Sequence, residues 1–447
     1  MAAGGPDYPT QRDERCHARS SKNDDSGNGI SKPDFSAALN ANDFGATGEG
    51  TADEQPALQA AIHAAQRQGR ALYVPAGKYV LNSSLVIECS VPGCCESNGC
   101  GAMIFKPLRL FGESEYATIL VAADDFQGES LLSLPGSSLN PPRNTVGNST
   151  NEHEISHLTL NAANRASYGL YAPFVTRSRF IALRTTFAKR AGIFLGYGWI
   201  NLVRDCRFGG NAIGIQLVEA VNNVNVLTSI FEGNHGPAIV ADGGAQMLIQ
   251  GNVMESNAGP AIIVSGCSAL TFDSNYMEAN CLQAVAMAQA QLEWNHSGRN
   301  VSTTTVCTDV LLNGAPYHEG SAELSILDPN EGVSVTSNFF NPGASACKRY
   351  SAVHAVAVHG LRMSANAAYY HCGANASLPR FGGATPAENA KGNVLDGIYC
   401  GLESSSSTAP IALFTTGSNT SRFSVHSVHW EANTLGFDLM VRNSAPP

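Results

Sequence analysis

The chain has 447 residues, of which 43% are hydrophobic and only 14% are charged, and its formal net charge is −10. The negative balance and the lack of a basic stripe argue against a nucleic-acid partner. No apolar run reaches the length of about 18 residues that a membrane-spanning helix needs, so we expect no membrane span. Low charge combined with 44 glycines is typical of a turn-rich β protein.

The chain begins with a polar segment, residues 1–34, rich in Gly, Ser, Asp, Asn and Arg. This composition offers too few apolar side chains for a core and predicts a disordered tail. No apolar signal core follows Met1, so secretion would need a leader missing from this sequence or another export route.

Residues 41–81 are predicted to form a helix followed by two strands. Apolar residues at i, i+3, i+4 and i+7 mark one buried stripe of the helix: Leu58, Ala61, Ile62 and Ala65. Asp53 is a better N-cap than Thr51, because it places Pro56 in the first turn, where proline is tolerated. Gly69 is predicted to end the helix, and LYVPAGKYV then indicates a strand, a turn and a strand.

Four cysteines crowd into the segment 89–101: Cys89, Cys94, Cys95 and Cys100. We interpret the segment as a disulfide-stapled insertion, which implies an oxidising compartment. A zinc site is the alternative, since the spacing lies at the long edge of the usual range. Cys206 and Cys267, further along the chain, are expected to be ordinary packed thiols.

A sequence repeat with a period of 23 residues follows. IFEGNHGPAIV at 230–240 returns as VMESNAGPAII at 253–263. A fixed period in this range indicates an architecture in which each unit buries its apolar side against its neighbours. The asparagine column holds Asn211, Asn234, Asn257 and Asn280. The apolar columns hold Phe208, Phe231, Met254 and Met277; Val203, Val226, Ile249 and Phe272; and Ile239, Ile262 and Val285.

The composition of the repeat unit predicts a parallel β-helix. Each unit holds two short alternating stretches rich in Val and Ile, split by a Gly/Asn turn, whereas leucine-rich repeats need more Leu. We therefore predict an all-β solenoid with coils of about 23 residues, an apolar interior and a structural asparagine ladder. We expect one domain over 35–447, with a cap at 41–81, regular coils over about 155–281 and irregular coils and loops over 282–447.

Three glutamates form a further column in steps of 23: Glu232, Glu255 and Glu278. Stacked carboxylates repel unless a cation, a raised pKa or splayed side chains relieve them. Neighbouring coils would hold two carboxyls near the ~5–5.5 Å of retaining glycosidases, and alternate coils near the ~6.5–9.5 Å of inverting ones. A bridging calcium ion would instead serve a lyase. The alternative is that the three glutamates are exposed turn residues without a catalytic or binding function.

Strand alternation also predicts an outward polar face, if Val224 and Val226 point inward. On this basis Asp273 joins Glu255 and Glu278 as a candidate catalytic group. The candidate substrate-binding residues are Arg204, Asn252, Asn275 and Glu232. Amides, carboxylates and an arginine suit sugar hydroxyls and carboxylates, while a solvated strand face is the alternative. Lys189 and Arg190 are further candidates for a base or a carboxylate clamp.

One stretch carries a family resemblance. DFGATGEGTADEQPALQAAI followed by LYVPAGKYVL resembles the N-terminal signature of the pectate-lyase-like superfamily of right-handed β-helix proteins. The matching residues are Asp43, Phe44, Gly45, Ala46, Gly48, Gly50, Asp53, Tyr73, Pro75, Ala76, Gly77 and Tyr79. LRLFGESEYATIL at 108–120 and ISHLTLNAANRASYGLY at 155–171 resemble the elements that follow. The resemblance implies a right-handed β-helix with an N-terminal capping helix.

The superfamily also implies work on carbohydrate, by lyases, hydrolases and epimerases of acidic polysaccharides, alongside tailspikes and catalytically silent members. The paired Asp of polygalacturonases and the Arg-x-Pro-x-x-Arg motif of extracellular pectate lyases are missing from the repeats. We therefore expect an extracellular or surface carbohydrate-active enzyme, a lyase or a glycoside hydrolase, acting on an acidic polysaccharide. The second hypothesis is a non-catalytic β-helix, such as an adhesin or fibre component. The sequence specifies no cofactor and no set of metal ligands, and calcium is the candidate ion.

Overall fold

The computed structural model describes residues 38–88, 106–135, 150–280, 330–341 and a series of shorter segments between residues 292 and 443. These residues are mainly strand, with one α-helix, α1 (Gln55–Gln68), and one short 3-10 helix (Ala41–Phe44). The predicted tail and the Cys-rich insertion lie outside the described residues. No helix within the described ranges is long and apolar enough to cross a membrane.

The strands follow one another along the whole described part of the chain. The first group is β1 (Leu39–Asn40), β2 (Glu49–Asp53), β3 (Leu72–Val74), β4 (Gly77–Leu81), β5 (Leu85–Val86), β6 (Arg109–Gly112), β7 (Thr118–Ala122) and β8 (Ser130–Ser133). The second group is β9 (Thr150–Asn151), β10 (Glu154–Asn161), β11 (Tyr168–Thr176), β12 (Arg179–Thr186), β13 (Ala191–Arg204), β14 (Arg207–Gly209), β15 (Ile213–Leu227), β16 (Ile230–Glu232), β17 (Ile239–Ala245), β18 (Leu248–Gln250), β19 (Val253–Glu255), β20 (Ile262–Asp273) and β21 (Tyr276–Glu278). The third group is β22 (Leu292–His296), β23 (Arg299–Thr303), β24 (Val310–Leu312), β25 (Ala315–Tyr317), β26 (Ala322–Leu327), β27 (Asn330–Thr336), β28 (Phe339–Asn341), β29 (Ser351–Val356), β30 (Val358–His359), β31 (Arg362–Ser364), β32 (Ala367–Tyr370), β33 (Arg380–Gly382), β34 (Asn393–Asp396), β35 (Tyr399–Leu402), β36 (Phe414–Thr416), β37 (Phe423–His426), β38 (His429–Ala432) and β39 (Val441–Asn443).

Strands of successive repeats pair in parallel, with partner residues 23 positions apart. One column of paired residues is Phe208, Phe231, Met254 and Met277. Another is Val203, Val226, Ile249 and Phe272. All eight side chains are at most 1% exposed, and the rings of Phe208 and Phe231 stack with centroids 4.5 Å apart. The predicted all-β fold of parallel strands around apolar columns is confirmed.

The predicted asparagine ladder is also confirmed. Each side-chain amide donates to the amide oxygen one repeat later, from Asn211 to Asn234 at 3.2 Å, from Asn234 to Asn257 at 2.8 Å, and from Asn257 to Asn280 at 2.7 Å. The same oxygens accept backbone N–H groups. All four side chains are buried, so the ladder satisfies the polar groups of a turn that lies away from water.

A second asparagine ladder corrects the prediction for Asn252 and Asn275. Both side chains are buried, not outward. The amide of Asn252 donates to Asn275 at 3.0 Å, and the amide of Asn275 donates to Asn338 at 2.9 Å. Alternation fails here because the preceding residues, Gly251 and Ser274, adopt left-handed backbone conformations with φ near 65° and 54°, which interrupt the period of two. The two asparagines are structural and are not available to a substrate.

The parallel pairing continues across a long interruption that follows Asn280. Two antiparallel hairpins, β22–β23 and β24–β25, lie within it. Val285, predicted to extend the Ile239 and Ile262 column, lies outside the described residues, and Ile262 pairs with Leu324 instead. The first ladder ends on the fully buried Glu323, whose carboxylate accepts the Asn280 amide at 2.6 Å. Further strands also pair in parallel, including β35 with β38 and β36 with β39.

The helix α1 starts one residue later than predicted, with Glu54 and not Asp53 at the N-cap position. The Asp53 carboxylate still accepts the Gln55 N–H, at 3.0 Å, in a local turn. The buried Glu54 carboxylate reaches back and accepts the Thr47 N–H at 2.9 Å and its hydroxyl at 2.7 Å. The predicted apolar stripe is buried, and Gly69 ends the helix with φ 69°, as predicted.

Cys206 and Cys267 are free thiols in the interior, as predicted. Burial raises the pKa of both thiols to about 12. They therefore act as small apolar side chains and are poor nucleophiles.

Candidate functional site

Glu232, Glu255 and Glu278 lie side by side on the outer face of β16, β19 and β21. Glu232 pairs in register with Glu255, and Glu255 with Glu278. The preceding residue of each strand belongs to the buried Phe231 column, and successive side chains of a strand point to opposite faces. Glu232 is exposed, and the other two are half-buried. The repeat spacing thus stacks three carboxylates on one outward face.

The middle carboxylate of this column has a shifted pKa. Partial burial raises the pKa of Glu255 first, and the charges of Glu278 and Glu232 raise it further. The hydroxyl of Tyr276, on the same strand as Glu278, donates a hydrogen bond to the Glu278 carboxylate. The raised pKa of Glu255 means that this carboxyl keeps its proton to higher pH than an isolated glutamate does, which suits a general acid.

We expect Glu278→Gln to lower the pKa of Glu255, because it removes one of the neighbouring charges. In wild type the folded-state pKa of Glu255 lies above the ordinary value of 4.5. The unfolded chain therefore loses this proton first, and stability falls as pH rises from the ordinary value through the folded pKa. Glu255→Gln should raise the thermal midpoint at neutral pH, with no gain well below the ordinary value.

Carbon-13 titration of the glutamate carboxyls by NMR measures this pKa in wild type and in Glu278→Gln. Glu152→Gln is the control, since Glu152 is exposed and pairs with Arg177. An identical Glu255 titration in wild type and Glu278→Gln would show that the two carboxylates do not interact.

A cleft of about 400 Å³ opens at the end of the same face. Arg184 and Arg207 pair in register on β12 and β14 within it. The Arg207 Nε lies 2.8 Å from a Glu115 carboxylate oxygen, and the Arg184 guanidinium lies 5.6 Å from the ring centre of Tyr116. Like charges opposite each other on neighbouring strands destabilise a sheet, and Glu115 offsets one of the two. The cleft lining includes Tyr116, Arg184, Phe187, Arg207 and Glu232.

Two aromatic rings lie at the other end of the glutamate column, one on the strand of Glu278 and one on the next strand. Tyr276 pairs in register with Phe339 on β28, and the two rings stack with centroids 5.3 Å apart and planes 8° apart. Along the direction in which the strands are stacked, one outward face therefore presents the arginines first and then the carboxylates, and the stacked rings of Tyr276 and Phe339 flank the last carboxylate.

Sequence reasoning missed the arginine pair, although a signal for it exists. Arg184 and Arg207 are 23 residues apart, so the period that identified the glutamate column also relates them. Glu115 and Tyr116 come from an earlier loop outside the regular repeats, and no periodicity points to them.

Asp273 does not join the glutamate column. Its carboxylate accepts the Gln250 amide at 2.7 Å and the Thr336 hydroxyl at 3.0 Å. It lies at the end of β20, before the left-handed turn at Ser274, whereas Glu278 lies after that turn. Asp273 thus belongs to a ladder of polar side chains on a separate strand.

The two predicted arginines, Arg204 and Arg190, have local partners away from the glutamates. Arg204 lies on β13 and pairs with the adjacent Asp205 at 3.0 Å. Arg190 donates to the Tyr168 hydroxyl at 3.2 Å, and Lys189 is exposed. Arg204 is exposed, as the outward orientation predicted for it requires. Its role in substrate binding stays a prediction.

The described residues offer no group of three or more His, Cys, Asp or Glu side chains placed to hold a metal ion. Calcium favours six to eight oxygen ligands. Calcium stays a prediction from the sequence.

This mainly-β chain of parallel strands belongs to the class of pectate-lyase-like proteins. Within that class, the chain belongs to the family described as rhamnogalacturonase A/epimerase, pectate lyase-like, whose model matches residues 38–263, just over half of the chain.

Known proteins share parts of this chain or its fold. Mannuronan C5-epimerase AlgE1 of Azotobacter vinelandii is 54% identical over 56 residues, which cover 12% of this chain and only 4% of that protein. The A-module of mannuronan C-5 epimerase AlgE4 from the same organism has 12% identity and a TM-score of 0.52, covering 89% of this chain and 98% of the module. PfbA, a surface adhesin of Streptococcus pneumoniae, has 14% identity and a TM-score of 0.54, covering 88% of this chain and 90% of the adhesin. At these identities the two structures share only the fold with this chain.

Proposed function

We propose that this chain is a carbohydrate-active enzyme, a lyase or glycoside hydrolase, whose polysaccharide substrate lies along the glutamate face. The observation that carries the proposal is the register of Glu255 and Glu278 on neighbouring strands. Strand neighbours are ~4.8 Å apart, close to the ~5–5.5 Å between the two carboxyls of retaining glycosidases. Membership of a rhamnogalacturonase and epimerase family supports a carbohydrate as substrate.

In this proposal, the two glutamates take different roles. Glu255, with its raised pKa, is the general acid that protonates the leaving oxygen. Glu278, held by the Tyr276 hydroxyl, is the carboxylate that attacks the sugar in hydrolysis or takes a proton from it in a lyase reaction. The exposed Glu232 lies one strand before Glu255 and accepts hydrogen bonds from sugar hydroxyls.

The test is turnover by Glu278→Gln, which keeps the shape of the side chain and removes its charge. Wild type and variant are incubated with a panel of acidic and neutral polysaccharides. Ultraviolet absorbance reports unsaturated lyase products, and reducing ends report hydrolysis. We expect turnover to fall by at least about 100-fold, the usual contribution of a general base or nucleophile. The thermal midpoint should stay the same or rise, since a repulsion is relieved.

Glu152→Gln is the matched control, because it removes an exposed carboxylate that lies outside the face. It should retain wild-type turnover. Unchanged turnover in Glu278→Gln, together with a lower thermal midpoint, would assign the glutamates to structure and remove the catalytic proposal.

A second candidate function is carbohydrate binding without catalysis, as in an adhesin or fibre. The observation that favours it is that the Glu278 carboxylate already accepts the Tyr276 hydroxyl of its own strand, a local contact that a purely structural glutamate would also make. Under this alternative, polysaccharides of the panel bind to wild type without any product, and Glu278→Gln binds them equally well.

We further propose that the strands close into a right-handed solenoid over residues 35–447, with α1 covering its first coil. The family membership and the solved β-helix structures support this arrangement. A polysaccharide substrate and the surface adhesin among the similar structures support an extracellular or surface location.

A further inference from the structure

Phe187 adopts an unusual backbone conformation at the edge of the cleft. Its φ is 58°, in the left-handed region that is strained for a bulky residue. Small residues take the same turn position in the next repeats: Gly210, Gly233, Ser256 and Ala279. A Cβ on Gly210 would lie 2.8 Å from the Phe187 ring, so the ring packs directly on that glycine. The fold thus accepts strain to hold an aromatic ring at this place.

The cleft combines this ring with a second aromatic ring and a cation. Tyr116 is 59% exposed and Phe187 is 43% exposed, and both line the cleft together with Arg184. The Arg184 guanidinium stacks near the Tyr116 ring. Arg207 is paired with Glu115, whereas Arg184 has no carboxylate partner among the residues that the structure describes.

We propose that this cleft is a subsite that binds a uronate residue of the polysaccharide. The uronate carboxylate binds the Arg184 guanidinium, and the sugar ring lies between Tyr116 and Phe187. The inference rests on the proposed function, because it names the acidic sugar at the arginine end of the glutamate face.

The chemistry of the face explains why a carboxylated sugar belongs here. A guanidinium presents two parallel N–H groups that match a carboxylate, and aromatic rings supply flat apolar surfaces for a sugar ring. Near the glutamate column a polyanion is repelled, so an acidic polymer needs a cation elsewhere on the face. The Arg184 strand lies three strand spacings from that of Glu255, roughly 14 Å. The recognised carboxylate thus belongs to a sugar remote from the proposed acid and base.

The test compares binding of polygalacturonate and polymannuronate with binding of their carboxyl-reduced forms, by calorimetry at fixed ionic strength. Wild type should bind at least one polyuronate about tenfold more tightly than its reduced form, as expected for a hydrogen-bonded charge pair. Arg184→Gln should lose this preference. Phe187→Gly should weaken binding of both forms while leaving the thermal midpoint unchanged or higher, since backbone strain is relieved. Arg177→Gln, which removes another exposed arginine, should bind like wild type.

Equal affinity of wild type for the charged and reduced forms would overturn the subsite, as would a preference that survives in Arg184→Gln. The outcome also separates this proposal from the catalytic one. Loss of turnover in Glu278→Gln with the preference intact in Arg184→Gln removes the subsite alone. Loss of the preference in Arg184→Gln with full turnover in Glu278→Gln removes the catalytic assignment alone.

Discussion

Phe231→Ala is expected to lower the free energy of unfolding by about 3–5 kcal/mol, the usual effect of truncating a buried phenylalanine. Phe231 is fully buried, stacks on Phe208 with planes 6° apart and pairs in register with Met254. Parallel repeats pack on both sides of it, so the cavity cannot close without moving their strands. Chemical denaturation followed by circular dichroism measures the change.

Tyr116→Ala is the matched control for this experiment, because it truncates an aromatic ring that is 59% exposed. It should change the free energy of unfolding by at most about 1 kcal/mol, the contribution of an exposed cation–π contact. A similar small change in Phe231→Ala would contradict a continuous apolar column through the repeats.

The second large effect is expected for Asn257→Leu, which keeps the branched heavy-atom shape of the side chain but removes its amide. The Asn257 amide donates to the Phe231 carbonyl at 3.0 Å and to Asn280 at 2.7 Å. Its oxygen accepts both the backbone N–H and the amide of Asn234. Several buried polar groups would lose their partners at once, so the free energy of unfolding should fall by at least about 3 kcal/mol.

Asn225→Leu serves as the comparison, since Asn225 is half-buried on an outer strand face. It should change the free energy of unfolding by no more than about 0.5 kcal/mol. Equal effects of the two substitutions, measured by thermal and chemical denaturation, would show that the ladder adds nothing beyond packing.

The core and the first ladder were predictable because both depend only on the period. An apolar residue recurs every 23 residues at the position of Val226, and an asparagine recurs at the position of Asn234. Parallel pairing places Val226 directly beside its counterpart in the next repeat, and the Asn234 amide bonds to its own counterpart. The spacing alone therefore determines which residues become neighbours. A stacked apolar side chain only has to pack, whereas a buried amide also needs a hydrogen-bonding partner. The asparagine column therefore becomes a ladder, and the apolar columns become the core.

The outward face was only partly predictable, because alternation holds within a strand and not across a turn. Asp273 precedes the left-handed Ser274 and faces out, whereas Asn275 follows it and is buried. The left-handed residue of this turn changes identity along the stack, from Asp205 to Thr228 to Gly251, so composition alone does not mark it. The loop that brings Tyr116 to Arg184 is a contact between distant segments, which no local pattern encodes.

The interruption after Asn280 has an entropic consequence. Ladder partners are 23 residues apart for Asn252 and Asn275, but 63 apart for Asn275 and Asn338, with similar hydrogen-bond lengths. Closing a loop of the greater length costs only about 1 kcal/mol more, because the entropy of loop closure grows with the logarithm of length. Side-chain register thus stays independent of loop size, and the chain can gain or lose whole hairpins after Asn280 without disturbing the stack. Loops that line a binding site for a different ligand can therefore evolve at this turn at little cost in stability.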